Sequence, residues 1–169
     1  MTTIQERNET LAADFRGAMR RLASGVALVT TADDNGARYG IAMTALMSLS
    51  MEPPSLLIAV NRTASLCEPL VARGRFGISL LGRDQEQTCQ DFVSAPADRR
   101  FDVADWDTHE SGVPLLRSAL AGIVCTLDQA EPFGSHMVIR GLVDYVSLAS
   151  TSDALVYLDG RYGGMAVNV

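Results

Sequence analysis

The 169-residue sequence contains no lysine, and all 14 of its basic residues are arginine. Schiff-base chemistry, covalently held pyridoxal phosphate and a Walker-type phosphate lysine are thereby excluded. Histidine is nearly absent, with His109 and His136 alone, and cysteine is limited to Cys67, Cys89 and Cys125. With no CxxC and no His/Cys cluster at ligand spacing, no metal site is expected, and the cysteines read as three buried thiols. No apolar run approaches the ~20 residues of a membrane-spanning helix. The N-terminus lacks the apolar segment of a secretory signal, so the expectation is a cytoplasmic protein with no membrane partner. A net charge of -6 is the wrong sign for a phosphate backbone, so no nucleic-acid partner is expected. GxGxxG and GxSxG are both missing, which removes a Rossmann dinucleotide site and a nucleophile elbow.

What is there is core material. Hydrophobic residues make up 47% of the chain and charged residues 20%, enough for one domain over residues 1–169. Leu11, Phe15, Met19 and Leu22 recur at helical spacing and predict a helix over roughly 10–23, stopped by Ser24-Gly25. Asp34-Asn35-Gly36 predicts a hairpin between VALVTT (26–31) and a strand from Ala37. SLLIAV (55–60) and RFGISLL (75–81) read as strands flanking a short helix at 64–73 that Gly74 ends. Residues 83–94 suit a polar helix, and 95–114 read as loop. Two long strands, 119–132 and 135–149, meet at Pro132-Phe133-Gly134, and a last strand lies in ALVYLDGRYGG. Strands joined by short turns predict a mainly β protein with a few helices, a largely antiparallel barrel rather than a βαβ sheet.

The stretch TALMSLSMEPP (44–54) alternates. Thr44, Leu46, Ser48 and Ser50 fall on one side and Ala45, Met47, Leu49 and Met51 on the other. One reading is a half-exposed strand; the other is a hydroxyl-bearing wall for a flat ligand, with the apolar side as core. Pro53-Pro54 then ends strand pairing. NRTAS (61–65) between a strand and a helix is either a plain N-cap or an anion pocket using Arg62, Thr63 and Ser65. His136, beside a turn, is either structural or a partner for an amide such as a nicotinamide carboxamide. His109, in DWDTHE, reads as solvated, and Phe101 as the anchor of a polar loop.

Taken in order, FRGAMRRLASGVALVTT, the Gly40–Pro54 stretch, NRTAS, RFGISLL, Arg100-Phe101, GVPL (112–115), GSH (134–136) with Gly141, and LVYLDGRYGG resemble the flavin reductase family of two-component monooxygenases. The resemblance spans about residues 15–164. It implies a split β-barrel of the Greek-key, FMN-binding type, usually a homodimer. It implies reduction of FMN or FAD by NADH or NADPH, the reduced flavin diffusing to a flavin-dependent monooxygenase component. By position, Thr44, Ala45, Ser48, Leu49 and Ser50 would surround the ring and ribityl chain, and Asn61, Arg62 and Ser65 the phosphate. Phe76, Ser79 and Phe101 would be further contacts, and Tyr162 would close the same face. His136 would stand near the nicotinamide as the catalytic-site residue. Two departures stand out: Ser135 replaces the aspartate usual before that histidine, and Ser79 an asparagine. FMN versus FAD, the oxygenase and its substrate, and tight or loose flavin binding stay open. The absence of an obvious arginine pair for a 2′-phosphate tilts towards NADH. The alternatives are a non-catalytic flavin-binding or shuttling protein, and a reductase of a cobalamin or ferric complex.

Overall fold

The computed structural model describes residues 4–150 and 153–164. The remaining positions of the expected 1–169 domain lie outside the described residues. In chain order the elements are α1 (Ile4–Met19), β1 (Ser24–Gly25), β2 (Ala27–Ala32), β3 (Arg38–Met43), β4 (Leu46–Met51), β5 (Pro54–Asn61), α2 (Cys67–Arg73), β6 (Arg75–Leu80), α3 (Glu86–Ser94), β7 (Trp106–Thr108), β8 (Pro114–Leu116), β9 (Ala121–Phe133), β10 (His136–Leu148), β11 (Leu155–Leu158) and β12 (Arg161–Gly164). Seven strands form one antiparallel sheet in the order β3-β2-β6-β9-β10-β5-β4. The pairs β7-β8 and β1-β11-β12 make two small sheets.

That order forces the shape. β3 and β4 are the two margins of the sheet, yet only Thr44 and Ala45 separate them in the chain. The sheet must curl until its margins meet. Tyr39, Ile41 and Met43 from β3 and Leu46 from β4 accordingly pack on one shared core. No ladder joins β3 to β4, so the barrel is split, as expected.

Inside the curl, Ile58, Val60, Leu66, Leu70, Phe76, Ile78 and Ile139 form the main core. A second cluster, with Leu28, Leu81, Phe92, Leu116 and Leu155, lies beneath α3. β2 is buried along its whole length because it serves both clusters, which explains its unbroken VALVTT run. Its two buried hydroxyls are satisfied: Thr30 Oγ1 donates to Pro114 O and Thr31 Oγ1 to Arg75 O (2.7 Å). All three cysteines are buried thiols.

Several expectations need correction. The first helix starts earlier and ends at Met19; Ser24-Gly25 is not its stop but β1, paired with β11. α2 begins at Cys67, three residues later than expected, and left-handed Gly74 (φ 69°) ends it as expected. The 95–114 segment contains β7 and the start of β8, strands too short to leave a periodic signal. In β4 the polarity is inverted. Leu46 packs on the core, whereas Met47, Leu49 and Met51 are exposed, Met51 by 75%. A register shift between Ser48 and Ser50 makes Leu49 the extra residue of a bulge, which strict alternation does not anticipate. Pro53 lies in the hairpin turn and Pro54 opens β5, opposite Met51.

Candidate functional site

The slit between β3 and β4 begins at Thr44-Ala45. An edge strand carries a row of main-chain N–H and C=O groups with no neighbouring strand to take them. Immediately beside it, on the outer face of β4, β5 and β10, is a cavity of about 610 Å³. Its floor includes Ala45, Leu57, Ala59 and Val138; its roof is the end of α1 with the residues just after it, and Tyr157 stands at its side. Two alanines keep the floor flat, and they are tied across the strands by Ala59 N–H donating to Ala45 O (3.1 Å). Flat apolar walls, a volume within the ~300–1,000 Å³ of small-molecule pockets, and adjacent unpaired amides suit a tricyclic ring with polar edges. On these observations the chain fits a flavin.

The β5–β10 register brings two further parts together. His136 pairs with Asn61, and Arg62 N–H donates to Ser135 O (3.0 Å). The NRTAS loop and His136 are thus strand neighbours at one end of β10, within a few residues of Ala45 and Ala59. Asn61 Oδ1 accepts from the Thr63 N–H (3.0 Å) and hydroxyl (2.9 Å), an Asx turn that shapes the loop. Arg62 and Ser65 are exposed, and Arg62 has no side-chain hydrogen bond or ion pair among the described residues. Because α2 starts only at Cys67, the expected helix-start contribution gives way to the loop's own groups. His136 is exposed; its Nδ1 lies 2.9 Å from Ser135 Oγ, so serine supplies the orienting contact.

The other expected contacts distribute unevenly. Thr44 lines both the main cavity and a small one of about 200 Å³ that it shares with Tyr157 and Tyr162. The Tyr162 ring lies 5.2 Å from that of Tyr157, and its hydroxyl accepts from the Cys89 thiol (3.6 Å). Burial first, then that contact, pushes the Tyr162 phenol up to about 12, so it stays neutral at ordinary pH. Ser48 and Leu49 are exposed further along β4. Ser50 is committed to the turn: its hydroxyl accepts from Glu52 N–H (3.0 Å) and donates to Glu52 O (3.1 Å). Three residues lose their geometric basis as ligand contacts. Phe76 is fully buried in the core beneath Gly141, where a Cβ would come within 2.5 Å of its ring. Ser79 is fully buried, its Oγ accepting from Leu116 N–H (3.0 Å). Phe101 is packed edge-on against Phe92 and 4.8 Å from Trp106, with the Arg38 guanidinium over its ring, which is the loop-anchor reading.

Sequence reasoning missed Arg16, Arg20 and Tyr157, which line the main cavity. Their helical spacing and strand position were visible, but only the fold brings residues 16–20 to residue 157.

A split barrel whose seam opens beside a flat cavity defines a flavin-reductase type of protein, and the chain belongs to the flavin reductase like domain family, whose model matches residues 19–166. It is 37% identical over 164 residues to the FMN reductase (NADH) RutF of Methylorubrum populi, covering 95% of this chain and 81% of that protein. It is 34% identical over 156 residues to the reductase component of an FADH(2)-dependent resorcinol hydroxylase from Rhizobium sp., covering 91% and 87%. Among solved structures, BorF, the flavin reductase component of a bacterial two-component tryptophan halogenase, superposes with a TM-score of 0.84 at 30% identity, covering 93% of this chain and 99% of BorF. The Streptomyces globisporus NADH:FAD oxidoreductase SgcE6, solved with NAD and FAD fragments, gives 0.84 at 26% identity, covering 98% and 96%.

Proposed function

We infer that the protein is an NAD(P)H:flavin oxidoreductase that reduces FMN or FAD and releases reduced flavin to a partner monooxygenase. The observation that carries this is the apolar cavity opening on the seam at Thr44-Ala45, in a chain whose relatives are named NADH-dependent FMN reductases. A bound flavin would supply the two-electron redox chemistry. The protein's share is alignment. The Ala45–Ala59–Val138 floor excludes water beneath the ring. The edge amides of β4 fix its polar rim, and Arg62 with Ser65 hold the phosphate. His136, oriented by Ser135, would hold the donor carboxamide and so orient the nicotinamide towards the flavin. No side chain needs to act as a base, because the donor delivers hydride directly. NADH is the preferred donor.

The same reading takes residues 1–169 as one cytoplasmic flavin reductase domain that works as a homodimer. Support for the dimer is apolar surface left open in the single chain outside the cavity: Leu11 and Phe15 on α1, and Leu49 and Met51 on β4. A second copy covering these would remove water from a patch too continuous for an isolated chain. Anaerobic mixing of flavin-loaded protein with NADH tests the activity. Loss of the visible absorbance of oxidised flavin is expected, and an unchanged spectrum would leave only a flavin carrier. Sedimentation would show the dimer.

A further inference from the structure

The main cavity is apolar except for its roof. Among the described residues that line it, Arg16 and Arg20 are the two that carry charge. Arg16 has no side-chain partner among the described residues. Arg20 is held from three sides. Its Nε donates to Asp159 Oδ1 (3.1 Å) and its Nη2 to Asp159 O (3.3 Å), while Asp159 N–H donates to Arg20 O (2.8 Å). The turn that supplies these bonds is the two-residue Asp-Gly loop of the β11–β12 hairpin. Asp159 (φ 49°) and Gly160 (φ 82°) are both left-handed, and a Cβ at residue 160 would lie 2.8 Å from Arg20 Nη2. This tight turn, bare of a side chain at Gly160, therefore seats one guanidinium at the cavity mouth, while the other has no counter-charge among the described residues.

With the floor given to the flavin ring, two cations at the roof with the Tyr157 ring alongside match a further aromatic ligand carrying two adjacent phosphates. We propose that Arg16 and Arg20 bind the pyrophosphate of the pyridine-dinucleotide donor, with Asp159 and Gly160 as positioning residues for Arg20. This rests on the oxidoreductase reading above. It assigns the flavin phosphate and the donor pyrophosphate to different cations, Arg62 at the end of β5 and the pair on α1 and its exit. Binding to a pyrophosphate rather than to a 2′-phosphate makes the pair indifferent to NADH or NADPH.

The test uses flavin-loaded protein and ADP-ribose, a pyrophosphate fragment that carries no hydride, titrated by calorimetry. Arg16→Gln and Arg20→Gln should each weaken ADP-ribose roughly tenfold, and Asp159→Asn a few-fold, because it frees Arg20 without removing its charge. In turnover, Arg16→Gln should lower the preference for NADH over a phosphate-free reduced N-alkyl nicotinamide by a similar factor, with NADPH falling in parallel. Loss of ADP-ribose binding on flavin loading would overturn the proposal by placing both ligands on one site. So would a loss confined to NADPH, unchanged ADP-ribose affinity in Arg16→Gln, or an Arg16→Gln protein that turns monomeric, since the roof would then be a contact between copies. If wild-type protein binds ADP-ribose through this pair but NADH bleaches no flavin, the oxidoreductase reading fails and the pyrophosphate site stands.

Discussion

The two ends of β10 place arginines in opposite circumstances. At the Tyr145 end is a polar cavity of about 710 Å³, similar in size to the one at the seam, with Arg73, Arg75, His109 and Asp144 on its walls. There every arginine has its carboxylate: Arg75 lies 3.7 Å from Asp144, and Arg73 pairs with Asp34 while donating to Ser111 O (3.2 Å). Even His109 is occupied, with Ser111 Oγ 2.9 Å from its Nδ1 and its ring 4.8 Å from that of Tyr145. At the His136 end, Arg62 and Arg16 make no ion pair among the described residues, and only Arg20 of the cavity roof is paired, with Asp159. About nine residues of extended strand, some 30 Å, separate the two ends. Volume alone does not separate the two cavities; they differ in the unpaired charge beside an apolar floor at the seam. Matched surface pairs contribute little to stability and leave little field for a ligand.

The sharpest way to break this contrast is through the core that both ends share. Phe76→Ala should cost about 3–5 kcal/mol in urea unfolding, as for other buried aromatics. The milder Phe76→Leu should bind flavin with unchanged affinity; a weakened affinity would return Phe76 to the ligand contacts. Next in size, Arg62→Gln should lower the preference for FMN over riboflavin roughly tenfold in a titration, because only FMN has the phosphate. His136→Ala should raise the NADH KM several-fold with a much smaller change in the limiting reduction rate. Unchanged NADH affinity and stopped-flow rate would remove His136 from the site. At the far end, Arg75→Gln should alter turnover less than twofold, as expected of one member of an exposed ion pair.

A fifth outcome follows from the buried thiol of Cys125. Burial, then the nearby Asp144, pushes it from 9.0 up to about 12. The folded state prefers the neutral thiol, so its contribution is complete below pH 9 and is lost as pH rises towards 12. Tyr162 acts the same way from pH 10. An alkaline loss of near-ultraviolet dichroism in that window is expected, and Cys125→Ala should move its onset upward. An onset that does not move would mean that Cys125 is not the group responsible.

Local chemistry made much of this readable. Asp34-Asn35-Gly36 does turn β2 into β3, the long pair β9-β10 meets near Pro132-Phe133-Gly134 as expected, and NRTAS lies beside GSH. Legibility failed where a long-range decision overrode a local pattern. The bulge at Leu49 turned an alternating strand so that its methionines face out. Phe76, Ser79 and Phe101 are types that a pocket and a core use alike, and only burial separates the two uses. Arg16, Arg20 and Tyr157 are far apart in the chain, so no spacing could join them.

The link Thr44-Ala45 has a last consequence. No ladder joins β3 to β4 across that link, so the gap follows the course of the backbone and not particular side chains. A ligand resting against it would meet edge peptide groups. Mutational drift can replace nearly every residue along the opening without erasing it, which lets one scaffold trade one redox guest, or one downstream oxygenase, for another.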